Sequence, residues 1–427
     1  MKKYYSHSLG CKVNSYETVL LTTELDNLGY TKTDSPSQAD VIILNTCSVT
    51  STADQKSRQH IRSLKSKNKD GILLVMGCYS QSNAQLVADM GADIVLGSSN
   101  RHLAIDYINQ FNKTHQKIVD VKPSVRKETY EEFGLGSFGV NARAYLKIQD
   151  GCDNFCSYCY IPQLRGNSRS RNPLDAINEA KRLAELGYNE IILTGIHIGA
   201  YGKDLGDGTF HLSTLIESIL QKVPSIKRLR ISSIEESEID DHLIHLLKTE
   251  ERIVPHLHIP LQSGSSSVLK RMKRKYDTDA FLSKLDEIRM ARPGIAITTD
   301  VIVGFPLETE EEFLETMDFC KKANFSEIHV FPYSSRPKTY AATLPQLDPS
   351  IKKERTHKLI ELSKQLREEY KKQFIGKPLD VLFESYDEEK HIAYGHTPNY
   401  LLVGVNSPVS LTGEIKTIIF DSSISSD

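Results

Sequence analysis

Short apolar runs alternate with amphipathic segments of helical period along most of the chain, and this alternation limits the possible folds more than any other feature. Strand–helix units repeated in this way build a parallel sheet that is covered by helices. In the first 110 residues the pattern predicts four strands, at residues 4–8, 41–45, 72–76 and 94–96. We therefore expect residues 1–115 to form a doubly wound, flavodoxin-like parallel α/β domain.

A second alternation of the same kind predicts six more strands, at residues 144–148, 190–193, 228–232, 256–260, 296–303 and 327–331. Six consecutive strand–helix units are typical of a partial TIM-type (β/α)6 barrel, which we assign to residues 140–374. The polar stretch at 113–139, with one proline and three glycines, is predicted to be a linker. Short β-rich runs at 379–384, 400–405 and 414–420 predict a small β-barrel over residues 375–427.

Composition excludes several classes of protein. The 53 Lys and Arg against 55 Asp and Glu give a net charge of −2, so the chain is not a polycation that binds nucleic acid through bulk charge. Apolar runs stay far below the roughly 18 residues of a membrane helix, and no hydrophobic stretch follows the two lysines near the start. We therefore expect a cytoplasmic protein without a membrane segment or a signal peptide. In that compartment seven cysteines favour metal binding or catalysis over disulfides.

Three cysteines, which we call the barrel set, follow the first predicted barrel strand in a C-x3-C-x2-C loop: Cys152, Cys156 and Cys159. Three thiolates on a four-iron cluster leave one iron open for a small molecule. Structural zinc is the alternative, but it is closed by four ligands, and the next candidates along the chain are His197 and Cys320. Cys320 itself lies on the apolar face of a predicted helix and is expected to be a packed thiol.

Three further cysteines, the sheet set, each come directly after a predicted strand of the first domain: Cys11, Cys47 and Cys78. Ligands gather at the carboxyl ends of parallel strands, so these three thiols are expected to meet in space and hold a second cluster. Gly10 and Gly77 beside them would let the backbone approach a bulky inorganic group. The alternative is that the sheet set consists of buried cysteines acting as small hydrophobic residues.

The loop Gly151–Cys159 resembles the signature of radical S-adenosylmethionine (SAM) enzymes, and nearly the whole chain resembles the methylthiotransferases of that superfamily. The stretch Gly10-Cys11-Lys12-Val13-Asn14 is most similar to the MtaB type, because the MiaB type usually has Gln-Met in place of Lys12-Val13. The stretch at 394–400 looks like the TRAM domain that closes these proteins. Further matches lie at residues 8–14, 193–199, 258–264, 299–306 and 331–334. The chain departs from the family at Leu307, Lys338 and Tyr340, where Gly, Gly and Pro are usual.

The resemblance implies a tRNA methylthiotransferase that adds a methylthio group to carbon 2 of threonylcarbamoyladenosine at tRNA position 37. Two SAM molecules would serve, one as radical source and one as methyl donor. The barrel set would hold the 4Fe-4S cluster that cleaves SAM, and the sheet set an auxiliary 4Fe-4S cluster for sulfur delivery. An electron donor such as flavodoxin or ferredoxin is implied as a partner, and the sulfur source is not indicated.

The same resemblance implies SAM contacts from five residues: Tyr158, Gly195, Ser233, Glu235 and Gln262. Strand-end polar residues that only satisfy turns are the alternative for these positions. Three histidines are interpreted either as active-site groups or as structural residues: His197, His256 and His258.

Contacts to the tRNA anticodon loop are expected from basic side chains and from aromatic rings. The basic candidates for phosphate contacts lie in or near two arginine- and lysine-rich stretches: Arg165, Arg169, Arg171, Lys270, Arg271 and Lys273. A solvated helix face is the alternative for the run at 270–275. From residue 375 onward, three basic residues stand against eight acidic ones, so this region would contact RNA through Tyr394 and Tyr400.

Several alternatives remain open on the sequence alone. The same chemistry could act on isopentenyladenosine of tRNA or on an aspartate of a ribosomal protein. A radical SAM enzyme without sulfur insertion would use the first domain only for binding. A zinc-stabilised RNA-binding protein would carry no iron at all.

Overall fold

The computed structural model describes residues 1–123, 129–132, 134, 136–138, 142–206, 208 and 210–425. Part of the predicted linker lies outside the described residues, namely 124–128, 133, 135 and 139. The same is true of residues 140–141, at the predicted start of the barrel region, and of residues 426–427, at the end of the predicted TRAM domain. Within the described ranges, none of the helices combines the length and hydrophobicity required to cross a bilayer.

The first sheet has six parallel strands in the order β2-β1-β3-β4-β5-β6, which contains the 2-1-3-4-5 order of flavodoxin-like folds. Its strands are β1 Lys3–Ser8, β2 Thr31–Lys32, β3 Val41–Thr46, β4 Ile72–Gly77, β5 Ile94–Leu96 and β6 Ile118–Asp120. Its helices are α1 Lys12–Asn27, α2 Ser51–Lys67, α3 Cys78–Ser82, α4 Ala84–Asp89 and α5 Ala104–Thr114. The sheet reaches Asp120, five residues past the expected boundary at 115.

Helices cover both faces of this sheet, which explains the continuous apolar runs of its central strands. Every residue of β3 and β4 is buried, as is usual for parallel strands with helices on both sides. Helices α1 and α5 pack on one face, and α2 and α4 pack on the other. The short strands β2 and β6 escaped prediction because two or three residues are too few to display a period.

Six further parallel strands follow one another in chain order and form an open barrel. They are β7 Arg143–Lys147, β10 Glu190–Thr194, β11 Arg228–Ile231, β12 His256–His258, β13 Ala296–Val303 and β14 Glu327–Pro332. Two three-stranded sheets, β7-β10-β11 and β12-β13-β14, are joined where Ile234 N–H donates to the His258 carbonyl at 3.0 Å. A two-stranded antiparallel ribbon, β8 Gln149–Asp150 with β9 Arg169–Ser170, brackets the cysteine loop.

Helices surround the barrel and fix which side chains point into it. They are α6 Ile161–Arg165, α7 Pro173–Glu185, α8 Leu212–Lys222, α9 Asp241–Thr249, α10 Ser266–Met272, α11 Thr278–Ala291, α12 Glu310–Ala323 and α13 Pro349–Lys372. Alternate strand residues such as Leu146, Leu193 and Ile231 pack outward against these helices, and Cys320 is buried among them. The residues between them line the interior, since successive strand side chains point to opposite faces.

The C-terminal region is a curled antiparallel sheet in the order β17-β16-β15-β18. Its strands are β15 Pro378–Asp387, β16 Ile392–His396, β17 Leu402–Asn406 and β18 Ile415–Ile419. The sequence did not predict β16. The sheet packs beneath the amino ends of the barrel strands, where the Arg143 guanidinium pairs with Glu384 at 3.0 Å and Arg228 donates to the Asp380 carbonyl at 3.0 Å.

Candidate active site

The sheet set lies at the carboxyl edge of the first sheet, around the point where the strand order reverses. Cys11 caps the amino end of α1 after β1, Cys47 follows β3, and Cys78 begins α3 after β4. A Cβ atom on Gly10 would lie 2.8 Å from the Cys47 Sγ atom, so only glycine, here at φ +95°, lets the two loops approach. Ligands bind at this reversal point in doubly wound folds.

The three thiols of the sheet set interact electrostatically with one another, although their exposure differs. Cys11 is exposed, whereas Cys47 and Cys78 are buried. Burial raises the pKa of the Cys47 thiol and raises the pKa of the Cys78 thiol to about 11, and neighbouring cysteine thiols add to both increases. The Arg165 guanidinium acts in the opposite direction on the pKa of both.

The barrel set lies on a tight loop between the ribbon strand β8 and helix α6. Gly151 has φ +72°, and a Cβ atom there would lie 1.9 Å from the Asn167 carbonyl oxygen, so the loop requires glycine. Cys152 N–H donates to the Gly166 carbonyl at 3.1 Å, and Cys159 N–H donates to the Cys156 carbonyl at 3.0 Å. Cys159 interacts electrostatically with both Cys156 and Cys152, so the three thiols lie near one another.

Cationic side chains surround the barrel set. The Arg274 guanidinium donates to Cys156 Sγ at 3.3 Å, and His197 Nδ1 lies 3.5 Å from Cys152 Sγ. Burial raises the pKa of Cys159 to about 12. Burial opposes the charged form of His197, yet hydrogen bonds to Cys152 and to Glu238 raise its pKa to about 10.

The contact of Arg274 with the cysteine loop was not predicted from the sequence. Arg274 belongs to the basic run at 270–275, but its side chain is buried and also pairs with Glu235 at 3.0 Å. The one sequence signal for a contact with the cysteine loop is the position of the basic run, at the end of the helix that follows the fourth barrel strand.

One cysteine of the sheet set, Cys78, lies at the domain junction beside the segment that follows the barrel set. Cys78 packs against Tyr160, the residue after Cys159, and against Leu164. Arg165, at the end of the same short helix, interacts electrostatically with the Cys78 thiol and donates to Asn14 Oδ1 at 2.7 Å.

A buried group of charges, which we call the junction cluster, holds α1 against the barrel. Its members are Glu17, Arg101, Glu131, Lys147, Asp150 and Arg165. Glu17 accepts from Arg165 at 2.8 Å and from Lys147 at 2.9 Å, and it also pairs with Arg101. Asp150 joins the cluster one residue before the loop glycine Gly151, so the cluster positions both cysteine sets.

The arginines expected to contact phosphates do not fit that role. Arg165, Arg169 and Arg171 are each at most 6% exposed. Arg165 lies in the junction cluster, and Arg171 pairs with Glu132 at 2.5 Å and with Glu179. Carboxylates pair with Arg165 and Arg171, and Arg169 donates to the backbone carbonyls of Arg165 and Asn167. Buried charges persist only when they are paired or hydrogen-bonded in this way.

Two of the five expected SAM contacts, Tyr158 and Gln262, line one cavity of about 230 Å³ at the carboxyl ends of the barrel strands. Tyr158 packs edge-on against Phe305, with ring centroids 6.5 Å apart. Residues of both domains contribute to the cavity wall: Val49, Thr50, Asp300, Ile302, Phe331, Pro332, Tyr333 and Ser334.

The other three expected contacts lie at neighbouring strand ends outside that cavity. A Cβ atom on Gly195 would lie 2.8 Å from the Gln149 carbonyl oxygen, which requires glycine there. Ser233 is exposed, and Glu235 is occupied by its ion pair with Arg274.

The histidines differ in their surroundings. His197 lies at the barrel set, as described above. His256 is buried at the base of the barrel interior and bonds Thr298 at 3.2 Å, whereas His258 lies higher in the same interior, 3.3 Å from Asp300.

The basic run at 270–275 wraps the outside of the cysteine loop, where Ser157 N–H donates to the Met272 carbonyl at 3.0 Å. Lys270 and Lys273 are exposed, and the Lys273 ammonium lies 5.2 Å above the Tyr340 ring. Arg271 is bound by Glu312 at 2.5 Å.

Two of the three positions at which the chain departs from the family have a backbone conformation that favours glycine. Leu307 and Lys338 both adopt φ +64°, a conformation that glycine reaches without steric cost. Tyr340 is 56% exposed and forms part of the same surface as Lys273.

The two tyrosines of the C-terminal sheet lie in different surroundings. Tyr394 is half-buried on β16. The Tyr400 ring, also half-buried, is stacked between His256 and His396 at the base of the barrel, 4.7 Å from each ring centroid.

Among the described residues, no three His, Cys, Asp or Glu side chains are placed to hold a single metal ion.

Comparison with family models and solved structures agrees with this architecture. The model of the radical SAM superfamily matches residues 146–320, and the model described as uncharacterized protein family UPF0004 matches residues 3–97. The solved structure of the radical SAM methyltransferase TsrM from Kitasatospora setae has a TM-score of 0.57, at 13% identity, over 80% of this chain and 77% of that chain. The fold and the three-cysteine loop are those of a radical SAM enzyme, a class that uses SAM and a 4Fe-4S cluster.

Relatives with higher sequence identity indicate which family of radical SAM enzymes the chain belongs to. Threonylcarbamoyladenosine tRNA methylthiotransferase MtaB of Bacillus subtilis (strain 168) is 46% identical and covers 96% of this chain and 91% of its own. MtaB of Thermotoga maritima is 38% identical, with 90% and 87% covered. The tRNA-2-methylthio-N(6)-dimethylallyladenosine synthase of Bacillus velezensis is 36% identical, with 97% and 82% covered. The chain belongs to the methylthiotransferase family of radical SAM enzymes and, within it, to the MtaB type.

Proposed function

We propose that the protein methylthiolates tRNA, adding a methylthio group to carbon 2 of threonylcarbamoyladenosine at position 37. Two relatives named for this nucleoside, at 46% and 38% identity, support the substrate. A relative named for dimethylallyladenosine is 36% identical. Methylthiolation of tRNA is therefore the shared part of the proposal, and the identity of the base is its finer part.

The observation that carries the proposal is the contact between Cys78 of the sheet set and the segment that directly follows the barrel set. Cys78 packs against Tyr160, the residue that follows Cys159. Joining sulfur to an unactivated carbon requires that the radical source and the sulfur carrier reach the same substrate atom, and positioning of this kind lowers the barrier. A first domain that served only for binding would need no such contact between its cysteines and the SAM loop.

The residues of both sets fit 4Fe-4S clusters. Each set offers three thiols, and cationic groups lie beside them to offset thiolate charge: Arg165 at Cys78, and Arg274 and His197 at the barrel set. When bound, the clusters and two SAM molecules supply the electron that cleaves one SAM, the radical that removes hydrogen from carbon 2, the sulfur, and the methyl group.

The chain's own side chains would bind SAM and exclude water. Tyr158 and Gln262 in the 230 Å³ cavity, with Gly195, Ser233 and Glu235 at neighbouring strand ends, are the proposed SAM contacts. Val49 and Thr50 complete the cavity wall from the first domain, next to Cys47. A cavity closed by both domains protects a reactive intermediate from solvent.

The proposed division of the chain is a cluster-carrying domain at 1–115, a radical SAM domain at 140–374 and a TRAM domain at 375–427. The anticodon loop is single-stranded, so its bases can be splayed out and stacked. Lys270 and Lys273 for phosphates and Tyr394 for stacking are the proposed RNA contacts. A flavodoxin or ferredoxin is the proposed electron donor.

Iron content and product analysis test the proposal. Anaerobically reconstituted protein should hold about eight irons per chain, as two four-iron clusters require. Cys47→Ala should hold about four, still cleave SAM to 5′-deoxyadenosine, and form no methylthiolated nucleoside. Cys320→Ala is the matched control, because it removes a packed thiol and should leave iron and product unchanged.

Three outcomes would overturn parts of this proposal. About four irons in the wild-type protein would remove the second cluster. Product formation by Cys47→Ala would remove the sulfur role of the sheet set. Methylthiolation of tRNA carrying isopentenyladenosine, with none on tRNA carrying threonylcarbamoyladenosine, would overturn the assigned base.

A further inference from the structure

The lower part of the barrel interior carries more positive than negative charge. Arg143 and Arg230 project from β7 and β11, and Lys12, at the start of α1, lies within electrostatic range of both. The carboxylates facing these three cations are Glu190, on β10, and Glu384, from the C-terminal sheet. We call Lys12, Arg143 and Arg230 the lumen cations.

The two carboxylates are occupied by the arginines and, in the case of Glu384, also by His396 at 2.7 Å. Glu190 accepts from Arg230 Nε at 2.7 Å and Nη2 at 3.1 Å, and it also pairs with Arg143 Nε at 3.0 Å. Glu384 binds the other end of Arg143 at 3.0 Å. Among the described residues, no carboxylate lies within 4 Å of the Lys12 ammonium, and none of them accepts a hydrogen bond from it.

One arm of Arg230 is also unused. Its Nη1 atom is buried and has no hydrogen-bond partner among the described residues, although the side chain is only 1% exposed. A buried donor without an acceptor is costly, and native structures seldom retain one without a function. The Tyr400 ring lies 4.7 Å from the Arg230 guanidinium and fixes its orientation from below.

These donors lie beside the place where the chemistry would occur. Lys12 directly follows Cys11 of the sheet set, and His256, which also interacts electrostatically with Lys12, lines the same interior. A ligand that reaches Lys12 and Arg230 is therefore anchored inside the barrel, next to the proposed sulfur carrier.

We propose that Lys12 and the free Nη1 arm of Arg230 bind the carboxylate of the threonyl group of the substrate nucleoside. This inference rests on the proposed function, because that carboxylate is the anion that distinguishes threonylcarbamoyladenosine from an adenosine with an aliphatic tail. Charge-assisted hydrogen bonds from arginine and lysine suit a carboxylate that has left water. Lys12 and Arg230 would thus select the modified base by charge.

Equilibrium binding of short anticodon stem-loop RNAs to the reconstituted enzyme tests this pocket. Three RNAs carry threonylcarbamoyladenosine, its methyl ester or plain adenosine at position 37. The wild-type enzyme should bind the acid about tenfold more tightly than the ester, as a charge-assisted bond predicts. Lys12→Gln should bind acid and ester equally, and Lys12→Arg should restore most of the preference.

Two further variants control for structure. Lys113→Gln removes an exposed lysine at the end of α5 and should keep the wild-type preference. Arg230→Gln should lose the preference as Lys12→Gln does, while Glu190 keeps its pair with Arg143. Iron content should equal that of the wild-type protein in all variants, which shows that Cys11 has not been disturbed.

The results separate this inference from the proposed function. If Lys12→Gln and Arg230→Gln keep the wild-type preference for acid over ester, the carboxylate pocket is wrong, whatever product forms. If the wild-type enzyme methylthiolates the acid RNA without preferring it over the ester, the pocket again fails and the function stands. If the wild-type enzyme methylthiolates only isopentenyladenosine RNA, the proposed substrate fails and the pocket fails with it.

Discussion

Replacing Glu17 by Gln tests whether the junction cluster holds the two domains together. Glu17 is fully buried and faces Arg101, Lys147 and Arg165. Burial opposes its charge, yet these three cations hold the pKa of Glu17 well below its usual range. The carboxylate is therefore ionised at neutral pH, and Gln would leave the cations with less negative charge than they need.

The expected loss of stability depends on which carboxylates still face the three cations after the substitution. Removing one partner of a buried ion pair costs about 3–5 kcal/mol, because the other charge stays buried. Asp150 and Glu131 still face the same cations, so we expect the lower end, about 3 kcal/mol. For a cooperative unit of the size of the barrel region, residues 140–374, each kcal/mol lowers Tm by about 2–4 °C. The expected fall in Tm is therefore about 6–12 °C.

Thermal unfolding followed by calorimetry measures this directly, with Glu24→Gln as the matched control on the same helix. Burial raises the pKa of Glu24, so the loss of its charge should be neutral or slightly stabilising. Equal shifts in Tm for Glu17→Gln and Glu24→Gln would refute the reasoning, since the junction cluster would then contribute nothing beyond an ordinary half-buried carboxylate.

Two further perturbations have expected outcomes of known sign. Leu307→Gly should raise the free energy of unfolding by about 0.5–1 kcal/mol, because relief of the left-handed backbone exceeds the entropic cost of glycine; an unchanged urea midpoint would contradict this. Glu190 faces opposing effects: burial disfavours its charge, but Arg230 and Arg143 lower its pKa to about 2. Its stabilisation is complete above the unfolded pKa of about 4.3 and is lost as the pH falls toward 2, so urea midpoints of the wild-type protein should fall more steeply across this interval than those of Glu190→Gln.

The strand order and the cysteine positions could be predicted because they depend on local pattern. The runs that became β3 and β4 are apolar throughout, and Cys47 and Cys78 follow them directly. Once such strands are parallel, topology alone brings their carboxyl ends together. The meeting of the sheet set therefore needed no knowledge of distant contacts.

The arginines could not be predicted in the same way. The sequence shows that Arg165 is charged, but its partner Glu17 lies 148 residues earlier, and only the docking of α1 on the barrel brings them together. Tyr400 is a similar case, since its place beneath His256 depends on how the C-terminal sheet packs. Charge and aromaticity indicate a binding surface only when the tertiary partners are known.

The C-terminal sheet would affect how much SAM the proposed reaction consumes for each product formed. Tyr400 and the Pro398 carbonyl, which accepts from Arg230 at 3.2 Å, form the floor beneath the interior in which a carbon radical would be generated. A chain that ended at residue 374 would keep all seven cysteines and lose that floor. Under the proposed function, water would then reach the interior from below and SAM would be consumed without transfer of sulfur, so the C-terminal sheet would govern how tightly SAM cleavage is coupled to product.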